Sequence, residues 1–206
     1  MTMTMKRSTW SALLLFALSA VSHAADIDLA ASKITVKVEK TGLFSAFAHD
    51  HTIAAPLASG HLDVQKRTVE LRFRSQEMKV LDPGIKDSER ADIDRTMKSY
   101  KVLDPGRFPE IVFVSTSIET PAVGAKTAGT SAAETNAPKR YLVHGELTLH
   151  GVTRPVELPV SFSDGHYTGK VTLKQTEFGI TPVKIAGGTV KVKDAIEIVF
   201  EIVAAK

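Results

Sequence analysis

The chain has 206 residues, of which 43% are hydrophobic and 24% charged, with 13 Gly, 9 Pro and no Cys. That composition excludes a disordered, collagenous or disulfide-stapled chain, and the length suits one domain of generous size. The lack of Cys also excludes iron–sulfur clusters, thiolate zinc sites and cysteine nucleophiles. A formal charge of +3 is modest for this length.

Lys6 and Arg7 open a basic start, the run from Trp10 to Val21 is apolar, and Ser22-His23-Ala24 follows with small residues where a signal peptidase reads them. This is the order of a secretory signal, and the apolar run is too short to span a bilayer comfortably. Residues 1–24 are therefore expected to leave as a signal peptide, with cleavage near Ala24. Residues 25–206 are then expected to fold as one domain in the periplasm or outside the cell. Removal of Lys6 and Arg7 takes the formal charge from +3 to +1, which gives no electrostatic reason to expect nucleic acid as a partner. Nothing later reads as a stable membrane span.

In chain order, period-two alternation predicts strands at Ile34 to Glu39, Phe47 to Ile53, Leu57 to Val64 and Val69 to Arg74. Asp87 to Tyr100 differs: polar helix formers carry Ile93, Met97 and Tyr100 at helical spacing. Asp82-Pro83-Gly84 and Asp104-Pro105-Gly106 bracket this amphipathic helix. The helix is expected to lie across a barrel wall or mouth as a lid would. Glu110 to Ile118 reads as a strand, apolar on both faces over Ile111 to Val114, which predicts cover from outside as well as inside. Residues 120–140, poor in bulky side chains, read as a flexible hairpin loop. Further strands follow at Tyr141 to Leu149, Val156 to Phe162, Tyr167 to Leu173 and Ile196 to Ile202. His150-Gly151, Asp164-Gly165 and Gly187-Gly188 mark turns. About eight or nine strands with one apolar face each must hide those faces in a sandwich or a closed barrel.

Two stretches combine into a known pattern. Met97-Lys98-Ser99-Tyr100-Lys101-Val102-Leu103 is followed by Phe108-Pro109-Glu110-Ile111-Val112-Phe113; later comes Gly145-Glu146-Leu147-Thr148-Leu149-His150-Gly151-Val152-Thr153-Arg154-Pro155-Val156. With Phe178-Gly179-Ile180 downstream, the chain resembles the YceI-like family from about Ser32 to Val203. The resemblance implies an all-β fold, an extended, antiparallel, lipocalin-like barrel of eight strands or nearly so, with one amphipathic helix. It implies a long amphiphilic ligand, such as a polyisoprenoid, held in the barrel, and no enzymatic activity. At Phe47-Ala48-His49-Asp50-His51-Thr52-Ile53 the chain departs from the usual pattern and looks like a distinct His-Asp-His branch.

On a strand Phe47, His49, His51 and Ile53 share a face, and the apolar members turn the two imidazoles inward. Three readings stand for His49 and His51: contact with the polar head of an amphiphile, a structural role, or ligation of a metal. Zinc would need further ligands, and none is recognisable by spacing, so no metal is expected. The candidate ligand-binding residues are Phe47, His49, His51, Phe73, Phe113, Leu147 and Phe162. No phosphate loop, nucleophile elbow, metalloprotease helix or haem motif occurs; neither catalytic residues nor a cofactor are expected. The sequence thus supports an exported protein that sequesters or carries a long-chain amphiphile: a polyisoprenoid, quinone or fatty amide. The alternative is a periplasmic metal-binding accessory protein built on His49 and His51. The oligomeric state stays open, a homodimer included.

Overall fold

The computed structural model describes residues 24–41, 50–120, 138–185 and 189–205. Residues 1–23 of the expected signal segment, Phe47, His49 and residues 121–137 of the expected loop lie outside these described residues; Ala24 opens the first strand, and Lys139 and Arg140 belong to a later one. Eleven strands and one α-helix are found among the described residues. In chain order they are β1 (Ala24–Thr41), β2 (His51–Ala54), β3 (Leu57–Asp63), β4 (Thr68–Arg74), β5 (Lys79–Val80), α1 (Asp87–Met97) and β6 (Glu110–Glu119). Then come β7 (Lys139–Leu149), β8 (Val152–Ser163), β9 (His166–Lys174), β10 (Lys184–Ile185) and β11 (Val190–Ala204).

Eight of them form a ring in the order β1, β3, β4, β6, β7, β8, β9, β11, every pair antiparallel. Pairing of β11 with β1, from Ile27 opposite Ala204 to Thr41 opposite Lys191, closes the ring, so that only the short side strands present an open edge. The length of β1 makes this possible: its first residues pair with β3, whereas Thr35 to Val38 pair with β2. β5 extends the sheet beyond β2, and β10 pairs with β11. The fold is the all-β, antiparallel, lipocalin-like barrel that the resemblance implies.

The turns follow from local chemistry. His150 and Gly151 join β7 to β8 at φ 52° and 74°; Asp164 and Gly165 join β8 to β9 at φ 51° and 85°. Two successive left-handed residues match the twist of a tight hairpin, and Gly at the second position avoids the steric cost.

Two expectations need correction. The outer face of β6 has no covering layer among the described residues: Val114 is 43% exposed and Val112 half-buried. Val112 stands opposite Arg72 and Thr148, and Val114 opposite Glu70 and Glu146. Stems of neighbouring long side chains shelter such valines without a second layer. The helix ends at Met97 rather than Tyr100, because after the last helical bond, from the Lys98 N–H to Asp94 O, the Ser99 N–H and the Ser99 hydroxyl both donate to Thr96 O. Tyr100 therefore lies off the packed face, 74% exposed.

The two ends of the barrel differ. At one end α1 and the 3-10 turns at Ser75–Glu77 and Gln175–Phe178 bring in Met78, Met97, Leu103, Phe178 and Ile180, all buried. At the other lie the β3–β4 and β8–β9 turns, the last residues of β6 and the first of β7. The helix thus closes the floor of the barrel; it does not cover this second end.

Candidate functional site: an apolar cavity with one polar mouth

The ring encloses a cavity of about 400 Å³. Its wall follows from the alternation of each strand: Ile34, Val36 and Val38 from β1, Val143, Leu147 and Leu149 from β7, and Ile196, Ile198, Phe200 and Ile202 from β11 face inward. Glycine keeps part of the interior open. Gly145 stands between Val143 and Leu147 on the inner face of β7, where an added Cβ would lie 2.5 Å from the ring of Phe113. Gly169 on β9 is covered likewise by Phe200, 2.4 Å from such a Cβ. Both rings lie close against bare backbone, and branched aliphatic side chains make up much of the remaining wall. An eight-stranded barrel is only just wide enough to fill itself or hold one slender guest; this one keeps the space.

Polar wall groups are few and segregated. Asp63, Arg67, Tyr141 and Tyr167 line the cavity at the second end of the barrel, and Gln175 lines it near the floor. Gln175 Nε2 is engaged, donating to Lys193 O at 2.8 Å. Val64, also a wall residue, is 59% exposed, whereas Met97, Leu103 and Ile180 at the floor are at most 7% exposed. The cavity therefore opens beside Val64 and Arg67.

Of the candidate residues, Phe73, Phe113 and Leu147 line the cavity. Phe162 is not a wall residue; its ring packs on Tyr167, centroids 4.6 Å apart, and Tyr167 is one. His51 pairs across the ladder with Val38, a wall residue, yet its Nδ1 lies 2.5 Å from Asp82 Oδ2 and the ring does not reach the cavity. Asp82, only 3% exposed, also accepts the Thr52 N–H at 2.6 Å. Arg90 of α1 donates to Val80 O and Asp82 O, so one polar knot joins β2, β5 and the helix that closes the floor. Burial holds the Lys40 ammonium below its ordinary pKa, partly opposed by Asp82, Asp50 and Glu89. No group of three or more His, Asp or Glu among the described residues is placed to hold a metal.

The sequence reading missed the mouth. Tyr141 and Tyr167 fall on the inward positions of their strands, which alternation alone reveals. Arg67 sits in a turn at φ 55°, a left-handed conformation uncommon for Arg, and no periodicity could have turned it toward the interior.

The architecture and cavity together define a small closed barrel with a preformed apolar interior. The chain belongs to the YceI-like family: residues 25–204 match the model of the YceI-like domain. It is 27% identical over 199 residues to a UPF0312 protein of Shewanella oneidensis, covering 85% of this chain and 88% of that one. A UPF0312 protein of Pseudomonas syringae pv. tomato is 32% identical over 129 residues, covering 58% of this chain and 57% of its own. Among solved structures, BcnA of Burkholderia cenocepacia shares the fold at TM-score 0.57 and 21% identity, with 87% of this chain and 100% of that one covered. A polyisoprenoid binding domain from Saccharophagus degradans shares it at TM-score 0.54 and 16% identity, covering 88% and 99%.

Proposed function

We propose that the protein is a binding protein and not an enzyme, one that sequesters or carries a long-chain amphiphile inside the barrel. The observation that carries this reading is the cavity of about 400 Å³, whose wall is apolar except for the engaged Gln175 near the floor and the polar groups at its mouth. Its volume falls within the roughly 300–1,000 Å³ of small-molecule pockets. A wall of Val, Ile, Leu and Phe offers water few hydrogen-bond partners, so an apolar guest is favoured over solvent. Each methylene moved from water into it gains about 0.8 kcal/mol. The shared fold of the Saccharophagus degradans domain, described as polyisoprenoid binding, supports an isoprenoid as one such guest; a quinone or fatty amide would suit the same wall. The segment Lys6 to Ala24 supports export, and hence a task in the periplasm or outside the cell.

Leu147→Trp tests the reading by filling the cavity from a wall position. Protein produced with its native leader and extracted with organic solvent should release stoichiometric lipid from the wild type and several-fold less from a folded Leu147→Trp variant. Equal lipid from both would place the guest outside the barrel and contradict the proposal.

A further inference from the structure

If the barrel holds an amphiphile, its orientation and head-group chemistry follow from where the polar wall groups stand. The geometry points to Arg67, Tyr141 and Tyr167 as a head-group site at the mouth, selective for an anionic oxygen head such as a phosphate ester or a carboxylate, with the tail running toward Met97 and Ile180. This rests on the amphiphile reading above and adds to it a direction, a charge and a specificity-determining residue.

Arg67 is the cation of the site. Among the described residues its guanidinium forms no ion pair; its Nη2 donates to the Thr120 hydroxyl at 3.2 Å. Glu119 stands opposite Leu142, so Thr120 brings Arg67 to the rim beside Tyr141. The guanidinium keeps further N–H donors for a planar or tetrahedral oxyanion. Tyr141 pairs with Val160 and Tyr167 with Phe162, so both phenols enter the same mouth from either side of β8. Tyr167, like any phenol near neutral pH, is a neutral hydrogen-bond donor, and burial and the neighbouring Tyr141 push its pKa further above the ordinary value.

Asp63 is the one carboxylate in the wall, and it is already engaged. Its Oδ1 accepts the Gln65 and Lys66 N–H groups at 3.0 and 2.9 Å, and its Oδ2 lies 3.1 Å from Lys66 Nζ. Of the charged residues at this end of the barrel, which include Lys66, Lys139, Arg140, Glu119 and Asp164, Arg67 is the cation that lines the cavity. At the floor, Gln175 Nε2 is taken by Lys193 O, so a charged head would meet uncompensated burial there.

The test compares dodecyl phosphate, dodecanol and dodecylamine by calorimetry on the full, delipidated protein. The phosphate should bind about tenfold or more tightly than the alcohol, and the amine more weakly than either. Arg67→Gly suits the positive φ while removing the guanidinium. It should weaken dodecyl phosphate about tenfold and dodecanol far less, so that most of the phosphate preference is lost; Arg67→Lys should restore part of it. Inorganic phosphate should not displace dodecyl phosphate; displacement would mean a free-anion site and overturn the lipid-head assignment. A preference that is absent, or that survives Arg67→Gly, overturns the head-group site while dodecanol binding still upholds the amphiphile reading. If all three tails fail to bind, the amphiphile reading itself falls and takes the head-group site with it.

Discussion

At the scale of single residues, the barrel separates structural polarity from polarity that faces the cavity. His51 looked from its alternation with Ile53 like an inward imidazole, and its ladder position opposite Val38 agrees with that. What sequence could not show was Asp82, thirty-one positions away, which draws the ring into a buried pair. Removing that carboxylate would leave His51 Nδ1 and the Thr52 N–H without their shared acceptor. Asp82→Ala should therefore cost about 3 kcal/mol of stability in urea unfolding, and Asp82→Asn, which keeps an acceptor for Thr52, distinctly less. A change below about 0.5 kcal/mol for Asp82→Ala would mean that the knot contributes little. Arg67 makes the opposite point. Its side chain reaches the cavity because a turn places it at positive φ, and alternation carries no information about such a residue.

At the scale of elements, the strands were legible because each carries its own instruction. Tight turns at His150-Gly151 and Asp164-Gly165 set the registers of β7, β8 and β9, and a one-residue slip would turn the whole apolar face of a strand outward. The short segments were less legible, since β2 and β5 owe their pairing to β1 and to the Asp82 knot rather than to their own few residues. The helix stop was hidden for a related reason: Ser99 competes for the backbone where apolar spacing alone would continue to Tyr100. One tie between elements should respond to pH. Asp194 on β11 accepts the N–H and hydroxyl of Thr176 at 2.9 and 2.7 Å, and these bonds hold its carboxyl below the ordinary carboxylate range. A depressed folded-state pKa means a contribution fully present above the unfolded value and lost as pH falls through the folded one. The stability gap between wild type and Asp194→Asn should accordingly be larger at pH 7 than at acid pH. A gap independent of pH would show that the ionised carboxylate does not strengthen this tie.

At the scale of the whole molecule, composition and alternation led to a closed or sandwiched β fold, and the motifs from Met97 to Phe113 and from Gly145 to Val156 led to the family. Closure depends on a long-range fact, the pairing of the two terminal strands across 150 or more residues, as in Lys37 with Glu197. Nor could inward apolar residues tell a filled core from a vessel. That distinction depends on volume: Gly145 and Gly169 withhold side chains, Phe113 and Phe200 lie over the bare backbone, and a cavity of about 400 Å³ persists. Native mass spectrometry of the untagged protein, produced with its leader and measured before and after removal of chelatable metal, tests the central claim most directly. The account predicts an added mass of a few hundred daltons, on the scale of one drug-sized or lipid guest, that survives chelation and passes into organic solvent. Bare protein, or protein carrying only a metal ion that the chelator removes, would contradict it.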